Sequence, residues 1–370
     1  MGTAEDWVAW LRLLELPGLG RESARKLLAA FGSPQAVLDA GTAARQAVVG
    51  PVTAALPEKP PPDIDERIAA TRRWLREAPP ESPRRLIALG DPLYPAALLE
   101  MADPPLLLHA QGRVDLLAAP GLAIVGSRQA TPQGLENARA FGEALSDAGL
   151  TIVSGLAQGI DGAAHEGGLQ GRSASIAVVG TGLDQVYPKR HADLAGRLSV
   201  QGLVLSEYSL GTPPLAENFP QRNRLIAGLS RGTLVVEAAL QSGSLISARL
   251  ASEAGREVFA IPGSIHSPQS RGCHWLIKQG AKLVECAQDV LDELQWSLQA
   301  GKVLDVSSDS DVDPDDDILA ALGHEPTSLD ALVARTGWSA AQLNIRLLEL
   351  ELDGRVARLP GQLFQRVSIA

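Results

Sequence analysis

Short apolar runs and longer amphipathic runs alternate through the middle of the chain. Residues 122–125, 151–153, 175–179, 203–205, 234–236, 258–261 and 283–284 are nearly continuous apolar stretches, the pattern of parallel strands covered on both faces. Between the first two, Leu135, Ala138, Phe141, Leu145 and Ala148 recur at helical spacing, with Glu136, Glu143 and Asp147 on other faces. Strand–helix alternation of this kind predicts an α/β fold: a Rossmann-like, doubly wound, mostly parallel sheet over residues 84–298.

The flanks have a different pattern. Helices are predicted over 7–15, 22–31, 33–40 and 63–77, around the turn Leu16-Pro17-Gly18-Leu19-Gly20 and the proline-rich segment 57–62. Residues 1–78 thus form a small helical domain with its linker, similar to sterile-alpha-motif or helix-hairpin-helix units. Such a turn presents backbone N–H groups to DNA phosphates, with Arg21, Arg25 and Lys26 nearby, or else serves as a packing module. Helices over 318–322, 329–334 and 340–352, then a hairpin of 355–359 and 362–367 around Pro360-Gly361, outline a winged helix at 318–370. Thr327-x-x-Asp330 and Ser339-x-x-Gln342 are the predicted capping boxes. The outward side chains Gln342, Arg346, Glu349 and Glu351 make a poor cationic reading face, so protein contact or regulation is as good a role as DNA contact.

Charge changes the picture less than its total suggests. The net charge is −10, yet Asp305, Asp309, Asp311, Asp313, Asp315, Asp316 and Asp317 crowd one stretch with Lys302 alone opposing them. Residues 299–317 are therefore expected to be a solvated acidic linker. Charges farther away than a Debye length of roughly 8 Å are screened, so a local cationic site elsewhere can still hold phosphates. No apolar run approaches the roughly 20 residues that span a bilayer. The N-terminal segment carries Glu5 and Asp6 in place of a basic leader. Cys273 and Cys286 form no C-x-x-C pair and suit a reducing compartment. A cytoplasmic protein without membrane contact, metal or cofactor is the expectation.

Small-residue turns follow the predicted strands. They are Gly126-Ser127-Arg128, Ser154-Gly155 through Gly159 to Asp161, Gly180-Thr181-Gly182, and Ser242-Gly243-Ser244. In a doubly wound sheet these lie together at the carboxyl edge, where glycine lets backbone approach a ligand and helix N-termini face anions. Gly180-x-Gly182 is followed by Gln185 where a dinucleotide fingerprint needs glycine, and no Walker lysine motif occurs. Cations are supplied instead by Arg128, Lys189, Arg190, and Arg222, Asn223 and Arg224, with Phe219 as a ring able to stack a base. A core position for Phe219, and pairing of Arg222 or Arg224 with a core carboxylate, are the competing readings. His165-Glu166 reads as helix packing rather than an acid–base pair.

These motifs, with residues 219–230, 236–247 and 255–281, resemble in order the DNA-processing protein A family (DprA, also called Smf) over residues 84–294. The helical start and winged-helix end resemble its longer members. The resemblance implies a non-catalytic protein that binds and protects incoming single-stranded DNA in natural transformation. It also implies a homodimer through the Rossmann-like domain that helps load the RecA recombinase. Its DNA site would include Gly126, Ser127, Arg128, Ser154, Gly155, Gly159, Lys189, Arg190, Phe219, Arg222, Asn223, Arg224, Ser242, Gly243 and Ser244. His191 and His274 depart from the asparagines that many members carry, and either imidazole can still donate to a phosphate or backbone oxygen. The alternative is a nucleotide-processing enzyme such as a nucleoside-monophosphate phosphoribohydrolase, though Pro262-Gly263-Ser264 lacks that class's second glycine.

Overall fold

A computed structural model describes residues 7–50, 61–296, 317–323 and 326–367. The predicted linkers at 57–62 and 299–317 fall largely outside them. The chain opens with α1 (Trp7–Leu14), α2 (Arg21–Phe31), α3 (Pro34–Asp39), α4 (Thr42–Val49) and α5 (Ile64–Arg76). Gly32, at φ 82°, ends α2 in the left-handed conformation. Ser33 then caps α3, accepting the Ala36 N–H at 3.2 Å. Leu13, Leu16, Leu27 and Val37 form the core of this unit. Helix α4, bounded by Gly41 and Gly50, was not evident from the pattern.

The central region runs β1 (Arg84–Ala88), α6 (Ala96–Leu99), β2 (Leu107–Gly112), β3 (Gly121–Val125), α7 (Pro132–Asp147), β4 (Thr151–Ser154), α8 (Ile160–Gln170) and β5 (Ser175–Val179). It continues through α9 (Ala192–Gln201), β6 (Leu203–Ser206), α10 (Asn218–Gly228), β7 (Ser230–Val235), α11 (Ser244–Glu253), β8 (Glu257–Ala260), α12 (Arg271–Lys278), β9 (Lys282–Leu283) and α13 (Ala287–Glu293). The sheet order is β1-β2-β6-β5-β4-β3-β7-β8-β9. From β6 to β9 every pairing is parallel. The chain steps outward from β3 to β6, then crosses back to lay β7 on the other side of β3. The direction of winding reverses there, so the crevice between the ends of β3 and β7 is the ligand position of such a sheet.

The sheet holds two strands beyond those the pattern predicts. β1 pairs antiparallel with β2, and β2 antiparallel with β6. Antiparallel neighbours need no helical crossover, so this edge lacks the alternation that revealed the others. Side chains split by the two-residue pleat. Leu122 and Ile124 enter one core, Ala123 and Val125 the other.

His165 of α8 is fully buried. Its Nε2 accepts the Leu156 N–H at 3.2 Å, and its Nδ1 donates to Ser175 Oγ at 2.7 Å, whose hydroxyl donates to the Ile152 carbonyl at 2.8 Å. Burial pushes its pKa down to about 3. Burial also takes His109 in β2 down to about 4. Both are neutral when folded and protonate near pH 6.5 when unfolded. Their stabilisation is complete above pH 6.5 and is lost as pH falls towards 4 and 3. Urea unfolding at pH 5 should show each histidine costing about 2 kcal/mol relative to pH 7. His109→Phe should remove one of these contributions; an unchanged pH 7-to-5 difference in that variant would refute the assignment.

The C-terminal unit comprises α14 (Asp317–Leu322), β10 (Thr327–Ser328), α15 (Leu329–Thr336), α16 (Ala340–Leu352), β11 (Val356–Leu359) and β12 (Leu363–Arg366). The sheet order is β10-β12-β11 and the core includes Leu332, Leu343, Leu347 and Phe364. This is a winged helix. The Ser339–Gln342 capping box is present. The other cap moves by one residue: Ser328 accepts the Ala331 N–H at 3.2 Å, because Thr327 is held in β10 opposite Phe364.

Candidate nucleic-acid interface

A cleft of about 720 Å³ opens at the β3–β7 switch point. Gly126, Ser127 and Arg128 form one wall, Phe219, Arg222 and Asn223 of α10 a second, and Ser242, Gly243 and Ser244 before α11 a third. The first turn is fixed by main chain. Ser127 N–H donates to the Glu237 carbonyl at 2.8 Å, and the Ile160 N–H to the Ser127 carbonyl at 3.2 Å. Gly159, at φ 79°, packs so closely that a Cβ would overlap the Ser127 carbonyl oxygen. Glycine is therefore required for the α8 turn to buttress the β3 turn.

Phe219 is half-buried at the mouth. The Arg128 guanidinium lies 5.7 Å from its ring centre and the Tyr187 ring 5.5 Å away, tilted by 38°. Arg128 is exposed and makes no ion pair among the described residues. A cation beside an accessible aromatic pair is the arrangement that stacks bases and neutralises phosphate. Tyr187, 46% exposed, escaped the sequence reading as a site residue. Its signal was an aromatic in a glycine-rich turn, but only the fold sets it against Phe219. Gln129, Gln241 and Gln269 also line the cleft.

Other candidates are elsewhere or differently engaged. Ser154 is buried, its hydroxyl donating to the Ile124 carbonyl at 2.6 Å. Gly155 is wedged between Arg222 and Asp161, where a Cβ would come within 2.6 Å of the guanidinium and 2.7 Å of the carboxylate. Asp161 accepts the Gly155 and Ala157 N–H groups at 3.1 and 3.3 Å. Burial raises its carboxyl, with Arg222 opposing that shift. Arg222 is 3% exposed and donates to the carbonyls of Gly155, at 2.7 Å, and Val178. Its charge therefore faces the inside of the cleft wall rather than the opening. Lys189 and Arg190 stand exposed beyond Tyr187 and do not line the cleft. His191 Nδ1 contacts the Leu156 carbonyl at 3.1 Å and His274 Nε2 the Gly263 carbonyl at 2.9 Å, so both imidazoles serve backbone oxygens.

Arg224 points away from the cleft. It bonds both Glu207 oxygens at 2.6 Å and lies 3.2 Å from Asp103. Asp103 also receives Arg21 at 2.9 Å and Arg25. Burial alone would raise the Asp103 carboxyl, but hydrogen bonding from Arg25 and the charges of Arg224 and Arg21 hold it below its ordinary range. Lys26 pairs with Glu22 at 2.7 Å. The cations beside the helix-hairpin-helix-like turn are thus engaged within the protein, which favours the packing role for the N-terminal helices. His165-Glu166 follows suit: His165 is buried, and Glu166 pairs with Arg139 at 3.1 Å.

A family model described as DNA recombination-mediator protein A matches residues 85–295, and one described as the DprA winged helix domain matches 305–362. Protein Smf of Escherichia coli (strain K12) is 47% identical over 285 residues, covering 75% of this chain and 76% of that protein. DNA processing protein DprA of Streptococcus pneumoniae is 51% identical over 206 residues, 56% of this chain and 73% of that protein. The X-ray structure of the S. pneumoniae protein superposes with a TM-score of 0.65 at 39% identity, covering 79% of this chain and 99% of that one. A structure described as giving insights into the single-stranded DNA binding mode of DNA processing protein A from Helicobacter pylori has a TM-score of 0.52 at 31% identity, over 57% of this chain and 95% of that one.

Fold and site define a Rossmann-like α/β protein with a winged helix behind it and a cation–aromatic cleft at its switch point. The chain belongs to the DNA recombination-mediator protein A family, whose members are also named DprA or Smf. It is accordingly a recombination mediator and not an enzyme, which sets the phosphoribohydrolase reading aside. No helix among the described residues is long and apolar enough to cross a membrane.

Proposed function

We propose that this protein binds and protects single-stranded DNA entering by natural transformation and helps load RecA onto it, acting in the cytoplasm as a homodimer. The observation that carries the reading is the Arg128–Phe219–Tyr187 cluster at the mouth of the cleft. Its rings offer stacking area that unpaired bases can reach and paired bases cannot, and Arg128 lies beside them for the phosphate. The relation to the H. pylori protein supports the same ligand. Leu240, Ile265 and Trp275, exposed by 56, 74 and 47% on the β7–β9 side of the sheet, supply apolar surface for self-association.

The test is a titration of labelled single strand and of the matching duplex, with solution mass measured in parallel. Tighter single-strand binding that weakens as salt rises, by a dimer-sized species that shortens the lag of RecA filament assembly, is the expected result. Equal affinity for duplex would sink the single-strand reading; a monomer mass or an unchanged lag would remove the dimer or the loading role.

A further inference from the structure

In a Rossmann sheet the helix after the first strand at the switch point presents its N-terminus to a ligand phosphate. Here that helix is α7, and its first turn is already filled. Glu237, just past the end of β7, reaches across the crevice. One carboxylate oxygen accepts the Thr131 N–H at 3.0 Å and the other accepts the Thr131 hydroxyl at 2.5 Å. Thr131 Oγ1 in turn accepts the Gly134 N–H at 3.0 Å, capping the helix. Gly134 leaves the space for this, since a Cβ there would overlap the carboxylate. No cation pairs with Glu237 among the described residues. Burial raises the Glu237 carboxyl, and the hydrogen bonds from the Thr131 hydroxyl and N–H at the helix terminus oppose that shift. The same residue's carbonyl holds the Ser127 N–H, so its main chain sets the Gly126-Ser127-Arg128 turn while its side chain fills the anion seat.

We propose that Glu237 is a specificity-determining residue: a built-in anion that closes the nucleotide-phosphate seat of the fold. Free nucleotides are refused at α7, and a polymer's phosphates are met farther out, at Arg128 and the Ser242-Gly243-Ser244 turn. Only that last consequence rests on the proposed function; the closed seat stands on the α7 geometry alone.

The experiment compares the full-length protein with Glu237→Ala and Glu237→Gln by thermal unfolding. Sodium phosphate is set against sodium chloride at matched ionic strength, and AMP is added separately. The unaltered protein sets the baseline, since phosphate stabilises folded proteins generally and Arg128 remains open to it, and each variant's phosphate effect is read as the excess over that baseline. Glu237→Ala should gain a phosphate-specific rise on the order of 2 °C or more, reproduced by AMP. Glu237→Gln, which still fills the seat, should gain less. A folded Glu237→Ala without the phosphate-specific rise overturns the proposal. If Glu237→Ala does not fold, the Arg128→Ala/Phe219→Ala double variant, which keeps Glu237 but lacks the outer cation and ring, decides: AMP binding tighter than about 1 mM there would show the seat open and overturn the proposal, whereas no binding agrees with it. Strand binding is not the readout, so failure here leaves the single-strand reading intact, and the reverse also holds.

Discussion

Alanine at Phe219 should weaken single-strand binding by roughly 5- to 150-fold, the range expected from about 1–3 kcal/mol for one lost base–aromatic stack. The plot of log affinity against log salt should keep its slope, because no phosphate contact is removed. Arg128→Ala should differ in its salt dependence. Affinity falls and the slope shrinks by about 0.7, the counterion release of one phosphate on a single strand. The two side chains touch across 5.7 Å, so the double variant should lose less than the sum of the single losses. Fluorescence anisotropy over a salt series measures all three. Undiminished affinity in a folded Phe219→Ala variant would return the ring to its competing role as core packing.

Arg222→Met should act on stability first. The buried guanidinium donates to two carbonyls, and burial brings its pKa down to about 10. Removing it leaves the Gly155 and Val178 carbonyls without that donor and takes away the larger of the two arginine charges, Arg222 and Arg128, that oppose the burial of Asp161. Loss of one partner from a buried charged constellation costs about 3–5 kcal/mol, which corresponds to a melting temperature lower by roughly 10 °C. Strand binding should recover on cooling below that transition, as it would not if Arg222 gripped phosphate directly. A variant with unchanged melting but abolished binding would reverse the assignment.

The difference between Phe219 and Arg222, three residues apart on one helix, shows how far the sequence could be read. Periodicity located β3 to β6 because burial on both faces leaves a chemical record in each, whereas β9, both of whose residues are exposed, was met only at Leu283. The carboxyl-edge turns followed from that, since strand ends dictate where glycine is tolerated or needed. The edge formed by β1 and β2 left no such record. Side-chain allegiance was legible least of all. Arg222 and Arg224 are chemically identical in the sequence, yet one meets backbone carbonyls at the ends of β4 and β5. The other meets Asp103 and Glu207, residues far away in the chain. Tyr187 takes its role from Phe219 of α10 and Glu237 from Thr131 ahead of α7, partners that a single sequence cannot pair.

The Asp103 hub carries a lesson for grafting. Its carboxylate joins Arg21 and Arg25 of the opening helices to Arg224 of α10, the helix that begins beside Phe219. A chimera cut between the N-terminal helices and the sheet would therefore separate one carboxylate from two of its three cations. Exchange of the front unit between relatives would keep this hub only if the loop around Asp103 travelled with Arg21 and Arg25.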